Sequence, residues 1–193
     1  MLTKEQKEKI ISFSKKCVEK NDQWHRFDHL ELVAKTALFL AKKEGADPEI
    51  CEVAALLHDI CKSEPGDHGT SGACKAREFL LSIGMGGAFV DAVAEAIHFH
   101  DKESRNRSKE SAAVWDADKL FILTPSGFVS RMCSYWVGRL GIEKGVDKAI
   151  LEYYFFRERL NTGSAKTIAN RYSGQMGKII DELRKKPDSY LSE

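Results

Sequence analysis

The residues with the clearest capacity for chemistry are a histidine and an aspartate side by side, His58 and Asp59, at the end of an apolar segment. Asp47 and Pro48 suit the N-cap and the first position of a helix, so the segment is predicted to be helical. Residues 53–57 contain no polar side chain, and this helix should therefore be buried on most sides. An ionised carboxylate at its end is unfavourable, because burial penalises the charge and the helix dipole repels it.

The pair by itself leaves two interpretations open. In the first, His58 is a core histidine and Asp59 is neutralised by Lys62. In the second, a divalent cation binds both side chains, since imidazole nitrogen and carboxylate oxygen are ligands that such ions accept. Adjacent side chains on a helix diverge by about 100°, so this ion would lie beyond the helix end and need ligands from other helices. The choice depends on whether the rest of the chain supplies them.

Other histidines and aspartates fall on apolar faces of further predicted helices. His29 follows the apolar spacing of the second helix, and His100 follows that of the fifth, with His98 as its competitor to the side. Asp118 lies on the apolar face of the sixth helix. Asp116, about 200° away, is expected to meet solvent or a group outside the ligand set. The inward-facing polar set is His29, His58, Asp59, His100 and Asp118, with His68 on a nearby loop.

Helical spacing recurs along all 193 residues, and we find no alternating strand pattern, glycine-rich phosphate loop or repeat. The sequence therefore predicts an all-α bundle of roughly seven to nine helices. We expect one domain over residues 1–193, with a core at about 22–124 and carboxy-terminal helices at 125–186 packed on it.

Composition excludes several classes of protein. The net charge of +1 gives no basic field for nucleic acid, and no stretch is long and apolar enough for a membrane span or signal peptide. The five cysteines are scattered and odd in number, which indicates reduced thiols and a cytoplasmic location. The sequence does not indicate an oligomeric state.

The arrangement of His29, then His58-Asp59, then Asp118 resembles the H…HD…D signature of the HD superfamily, a helical group of metal-dependent phosphohydrolases that includes small stand-alone bacterial members. The stretch from His58 to Lys62 is similar to the family's H-D-I-G-K variant, with cysteine in place of glycine. His68-Gly-Thr-Ser-Gly and Ile97-x-x-His100 resemble the additional histidines of branches that bind two metals. The resemblance covers roughly residues 22 to 180.

This resemblance implies a metal-dependent hydrolase with identifiable ligands. A first divalent ion (Mn, Fe, Zn, Mg or Ni) would be held by His29, His58, Asp59 and Asp118. A second would be held by His68 and His100, with Asp59 bridging. A metal-bound hydroxide would attack phosphorus, with Asp59 orienting the water and Lys62 contacting phosphate.

The implied substrate is a phosphoester or phosphoanhydride of a small molecule, with a nucleotide favoured. Two alternatives stay open at this point. One is a non-catalytic binding or regulatory module in which the metal stabilises the bundle, and the other is a di-iron oxygenase on the same fold.

Overall fold

The computed structural model describes residues 2–104 and 106–185, and within these ranges the chain forms helices and turns with no strand. Ten helices are present there when the continuous helical stretch 125–140 is counted once. Their bounds are α1 Lys4–Val18, α2 Phe27–Glu44, α3 Pro48–Leu57, α4 His68–Ser82, α5 Gly87–Phe99, α6 Lys109–Leu120, α7 125–140, α8 Ile142–Glu158, α9 Gly163–Arg171 and α10 Ser173–Leu183. The predicted all-α fold is confirmed.

Several helices begin or end at residues whose local chemistry predicts a helix end. Thr3 and Gln6 form both hydrogen bonds of a capping box at the start of α1. The Asp47 side chain caps α3. Gly45 ends α2 with a φ of 69°, a conformation that favours glycine because other residues are strained there.

The carboxy-terminal part differs in two places from what sequence pattern predicts. Apolar spacing predicts one helix at about 164–186, of which residue 186 lies outside the described residues, but the structure divides this stretch at Tyr172 and so has a tenth helix. Gly141 and Gly145 both predict a break in the chain; Gly141 makes one with a φ of 80°, whereas Gly145 lies inside α8. A side chain at Gly145 would come within 2.5 Å of the Val137 backbone, so this glycine permits close helix packing rather than a turn.

Residues 2–118 and 161–164 form one compact unit. Its centre is α3, which packs against α1, α2 and α5, and α4 packs against α5. Most side chains of α3 are buried, as expected for a helix that is apolar on nearly all sides. The rings of Phe13 and Phe79 stack at 3.9 Å between centroids and join α1 to α4.

Residues 119–160 and 165–185 belong to a second compact unit, in which α7 packs against α8. Phe128 and Tyr153 meet edge to face, and Trp136 Nε1 donates a hydrogen bond to Glu152 Oε2 at 2.8 Å. Residues Phe128–Cys133 of α7 are π-helical. The expectation that the carboxy-terminal helices pack on the amino-terminal core stays a prediction.

Candidate metal centre

The candidate site is built where α3 ends inside the first unit. His58 is the C-cap residue of α3, Asp59 follows it in the turn, and they are 0% and 2% exposed. His29 lies in the first turn of α2, and Asp118 lies near the end of α6. Three helices, two of them consecutive and the third about 50 residues further along the chain, therefore bring side chains to one point.

Four ligand atoms form the first group. His29 Nε2 is 3.3 Å from His58 Nε2 and 3.1 Å from Asp118 Oδ1. Asp59 Oδ2 is 3.3 Å from His58 Nε2 and 3.7 Å from His29 Nε2. Ligands bound at about 2.1 Å in tetrahedral or octahedral geometry lie about 3.0–3.4 Å from their neighbours. Three of these four separations lie in that range and the fourth is slightly longer, so a shared cation could draw all four atoms to it with a small movement.

His58 and His100 each make a hydrogen bond through Nδ1, which turns the opposite ring nitrogen, Nε2, toward the candidate site. His58 Nδ1 is 2.7 Å from the carbonyl oxygen of Ala55, and His100 Nδ1 is 2.6 Å from that of Ile97. A carbonyl can only accept, so Nδ1 carries the proton in the neutral ring and Nε2 presents its lone pair. This arrangement is usual for histidines that bind metals.

The second group lies on the other side of Asp59. Asp59 Oδ1 is 3.6 Å from His68 Nε2 and 3.5 Å from His100 Nε2. This oxygen is buried and has no hydrogen-bond partner among the residues the structure describes. A buried carboxylate oxygen without a partner is costly, and a cation held by the two imidazoles would satisfy it. The donor set thus fits a divalent cation at each oxygen of Asp59.

Burial and neighbouring charges shift the pKa values of these groups. Burial lowers the pKa of His58, but the charge and hydrogen bond of Asp59, the charge of Asp118 and the hydrogen bond to Ala55 together outweigh burial and leave that pKa raised. Burial opposes ionisation of Asp59, yet the charge of His58 and the contact with His100 hold the pKa of Asp59 well below its usual range. Burial, with the charge of Lys62, lowers the pKa of His68 to about 4. His68 is therefore neutral at pH 7, the form that binds a cation.

The family model described as HD domain matches residues 26–122, which is half of the chain and includes every residue of both groups. The chain belongs to the HD-domain family.

Some relatives match over most of their length and share this fold. The Bacillus subtilis (strain 168) protein YpgQ is 26% identical over 192 residues, with 93% of each chain covered. A crystal structure of YpgQ in complex with ADP has a TM-score of 0.74 at 23% identity and covers 94% of this chain and 98% of that one. An HD-superfamily hydrolase structure from Bacillus thuringiensis has a TM-score of 0.76 at 26% identity, covering 99% and 100%. Some other curated relatives are longer, and the matched segment covers 6% to 31% of their length.

All six histidines and aspartates that the sequence analysis selected as ligands lie in these two groups of the HD domain: His29, His58, Asp59, His68, His100 and Asp118. His68 is the first residue of α4 rather than part of a loop, because Asp67 caps the helix. Of the two competing histidines on α5, His100 is in the second group. His98 lies outside it and contacts Thr70 and Lys102.

The sequence analysis expects Asp116 to meet either solvent or a group outside the ligand set, and the structure excludes solvent. Asp116 is fully buried and accepts hydrogen bonds from the backbone N–H of Asn161 and Thr162 and from both of their side chains. The helical phase placed it away from the apolar face, but the segment 161–164 covers that side of α6. Burial raises the pKa of Asp116, and these hydrogen bonds oppose the rise.

Two residues beside the candidate site were not singled out from the sequence. Asn21 is buried, and its Nδ2 donates to the carbonyl oxygens of His25 at 2.9 Å and Asp59 at 3.1 Å. Asp101 Oδ2 lies 3.4 Å from His68 Nε2. Both residues lie just beyond the last residue of a helix, yet each continues the three- and four-residue spacing of the apolar residues before it, so helical spacing was the signal that could have indicated them.

No helix within the described ranges combines the length and apolarity needed to cross a membrane.

Proposed function

We propose that this HD-domain chain is a metal-dependent phosphohydrolase that cleaves a phosphoester or phosphoanhydride bond of a small molecule, with a nucleotide as the favoured substrate. The observation that carries this proposal is the convergence of His29, His58, Asp59 and Asp118 at separations of 3.1–3.7 Å. A core that needed only stability would gain more from apolar side chains, because buried charged groups are costly to desolvate.

The two oxygens of Asp59 divide the proposed ligands between two ion positions. His29, His58, Asp59 Oδ2 and Asp118 would hold the first ion. His68 and His100 would hold the second with Asp59 Oδ1. Mixed nitrogen and oxygen ligands suit Mn²⁺, Fe²⁺, Zn²⁺ or Ni²⁺, and Mg²⁺ prefers sites with more oxygen.

When bound, a divalent cation in such a site lowers the pKa of water and neutralises charge on a phosphoryl group. The chain contributes positioning and charge around it. Lys62 is half-buried, and its Nζ is 3.1 Å from His68 Nε2, so its ammonium lies at the edge of the second group. There it can donate a hydrogen bond to a phosphoryl oxygen and stabilise the negative charge that develops during hydrolysis. Asp59 lies between the two groups and can orient the attacking water.

The nucleotide preference is supported by the relative YpgQ, which has been crystallised in complex with ADP. A nucleoside diphosphate offers several phosphoryl oxygens to a site whose residues would hold one or two cations beside a lysine. Phosphomonoesters, diesters and anhydrides remain within the proposed class.

The proposal is tested by measuring metal and turnover on the same protein. Elemental analysis of the purified chain should show bound transition metal, and a nucleotide panel with Mn²⁺ should release phosphate. His58→Ala and Asp118→Ala should each lose bound metal and at least ~100-fold in hydrolysis, because removing a ligand costs more than changing a group behind it. Asp91→Asn is the matched control, since this exposed residue of α5 pairs with Arg77 on the surface.

Three results would contradict the proposal. Full metal occupancy in Asp118→Ala would show that this carboxylate is not a ligand. Metal-loaded protein that releases no phosphate from any nucleotide would favour a binding module. Oxygen consumption with an iron-dependent visible spectrum would favour the oxygenase.

A further inference from the structure

The Lys62 ammonium and an ion at the second position would both need the same atom, His68 Nε2. Lys62 Nζ is 3.1 Å from His68 Nε2, and the same nitrogen faces Asp59 Oδ1 at 3.6 Å. An ammonium group can only donate hydrogen bonds, so His68 Nε2 is the acceptor and its proton must be on Nδ1. A neutral imidazole has a single lone pair on that nitrogen. It can accept from Lys62 or bind a cation, but it cannot do both.

We propose that Lys62 sets the number of ions that the centre holds: the His68–His100 position fills only when Lys62 leaves His68, and a phosphate group that attracts the Lys62 ammonium brings this about. The inference rests on the proposed function and adds a coupling between phosphate and the second ion. Phosphate and this ion should bind cooperatively, because each removes an obstacle to the other.

Lys62 does not compete at the first ion position. His58 Nε2 is 3.3 Å from His29 Nε2 and 3.3 Å from Asp59 Oδ2, and Lys62 makes no hydrogen bond in that group among the described residues. The positive charge of Lys62 still acts on Asp59, which serves both positions. A purely electrostatic effect of Lys62 would therefore change the affinity for both ions, whereas competition for the lone pair changes only the second.

The remaining charged groups around His68 do not remove the competition. Asp101 Oδ2 lies 3.4 Å from His68 Nε2, and His100 lies beside it with ring centroids 5.1 Å apart. Asp101 can attract either a cation or the ammonium group, so it supports whichever is present. Lys62 is half-buried, and its flexible four-carbon side chain allows the ammonium to move from His68 toward a phosphoryl oxygen.

The test measures bound metal, without any substrate turnover. Metal-free protein is dialysed against a series of low Mn²⁺ concentrations, with and without inorganic phosphate, and bound Mn²⁺ per chain is determined by elemental analysis. Wild type should bind one ion tightly, and phosphate should tighten the second by roughly tenfold, the size expected from one charge-assisted hydrogen bond. Lys62→Met should bind the second ion about tenfold more tightly without phosphate and show little further effect of phosphate.

Two further variants isolate the cause. Lys62→Arg retains a charged donor and should keep the second ion dependent on phosphate. Lys75→Met removes the same charge from a surface pair with Glu64 and should behave as wild type. Complexation of Mn²⁺ by phosphate in solution is the same for every variant, so it cancels in the comparison.

The outcomes separate the two proposals. Two ions bound equally tightly by wild type without phosphate would overturn this inference alone. So would an equal gain for both ions in Lys62→Met, or an unchanged phosphate effect in that variant. Failure of wild type to bind any ion under either condition would overturn the proposed function and this inference with it.

Discussion

Asp59 is the residue on which both candidate ion positions depend. Its two oxygens face different pairs of imidazoles, Oδ2 toward His29 and His58 and Oδ1 toward His68 and His100. The side chain is 3% exposed, so neither oxygen can be satisfied by bulk water. A carboxylate at this position therefore needs cationic neighbours on both sides.

His68 provides a prediction about pH at the scale of a single residue. Its pKa is lowered to about 4 in the folded metal-free chain, below the value of about 6.5 for an unperturbed imidazole. Between these values the unfolded state binds a proton that the folded state does not, so the free energy of unfolding should rise with pH. His68 therefore stabilises the fold fully above about pH 6.5, and this contribution is lost as the pH falls toward 4.

Urea unfolding of the chelator-treated protein at several pH values measures this effect. His68→Gln should flatten the dependence between about pH 4 and 6.5 relative to wild type. The comparison with the variant is needed because His58, whose pKa is raised, contributes with the opposite sign. An equal or steeper dependence in His68→Gln would contradict the prediction.

At the scale of elements, the second group depends on how closely α4 approaches the end of α5. A Cβ at Gly69 would lie 2.7 Å from Asp101 Oδ1 and 3.0 Å from the carbonyl oxygen of His98. A Cβ at Gly72 would meet the carbonyl oxygen of His58 and the Ile97 side chain at 3.5 Å, which is an ordinary contact. The first glycine is thus required by the packing, and the second is not.

The two glycines form a matched pair of variants in one helix. Gly69→Ala should destabilise the chain by about 1–3 kcal/mol, because the Asp101 carboxylate must move away from the methyl group and the His98 carbonyl must also give way. Gly69→Ala should also weaken Mn²⁺ binding at the second ion position, which uses His68. Gly72→Ala should be neutral or stabilise the helix by up to about 1 kcal/mol. Chemical unfolding and Mn²⁺ binding check both, and equal effects of the two changes would show that α4 adapts freely.

Asp116 and Asp118 are two residues apart on α6 and are expected to have different roles, the first in stability and the second in metal binding. Asp116 accepts from the backbone N–H of Asn161 at 2.8 Å and of Thr162 at 2.7 Å, which holds the segment 161–164 on the first unit. Asp116→Ala leaves these buried donors unpaired, so it should cost at least about 2 kcal/mol of stability while metal content stays normal.

Asp118→Ala is the comparison that separates structure from binding. It should lose metal with a smaller loss of stability in the metal-free state, because the Asp118 side chain is 11% exposed and lies at the ion position. Unfolding curves measure the stability of Asp116→Ala and Asp118→Ala, and elemental analysis measures their metal content. Loss of metal in Asp116→Ala at a temperature where it remains folded would contradict this division.

For the whole molecule, the proposed ligands all belong to one compact unit. Residues 29, 58, 59, 68, 100 and 118 lie within residues 2–118, and none belongs to the second unit. A ligand that binds only the folded state stabilises what it binds, by RT ln(1 + [L]/Kd), or about 2.7 kcal/mol at a concentration of 100 Kd.

Hydrogen exchange of the metal-loaded and metal-free chain should show which residues bound metal stabilises. Added Mn²⁺ should slow exchange mainly in residues 2–118 and 161–164, because local opening of the other unit does not break a metal bond. Equal protection across residues 119–160 would show that the two units open as one cooperative structure.

The sequence alone determined the helical class, several helix ends and the identity of the candidate ligands. Capping residues such as Thr3 and Asp47 act within a few positions, so local chemistry specifies them. The inward direction of His29 and His100 follows from helical phase, which neighbouring apolar residues reveal. Because α3 is apolar on most sides, its sequence also predicts that this helix is buried at the centre of the unit.

Only the tertiary structure decided which atoms meet. Burial of Asp116 depends on Thr162, which is 46 positions away, and the contact of Asp101 with His68 depends on the crossing of α4 over α5. The hydrogen bond from Lys62 to His68 likewise requires the turn after α3 to lie against the start of α4. Helical phase gives the face on which a side chain lies, but not the packing distance to a helix far along the chain, because that distance is set by the whole core.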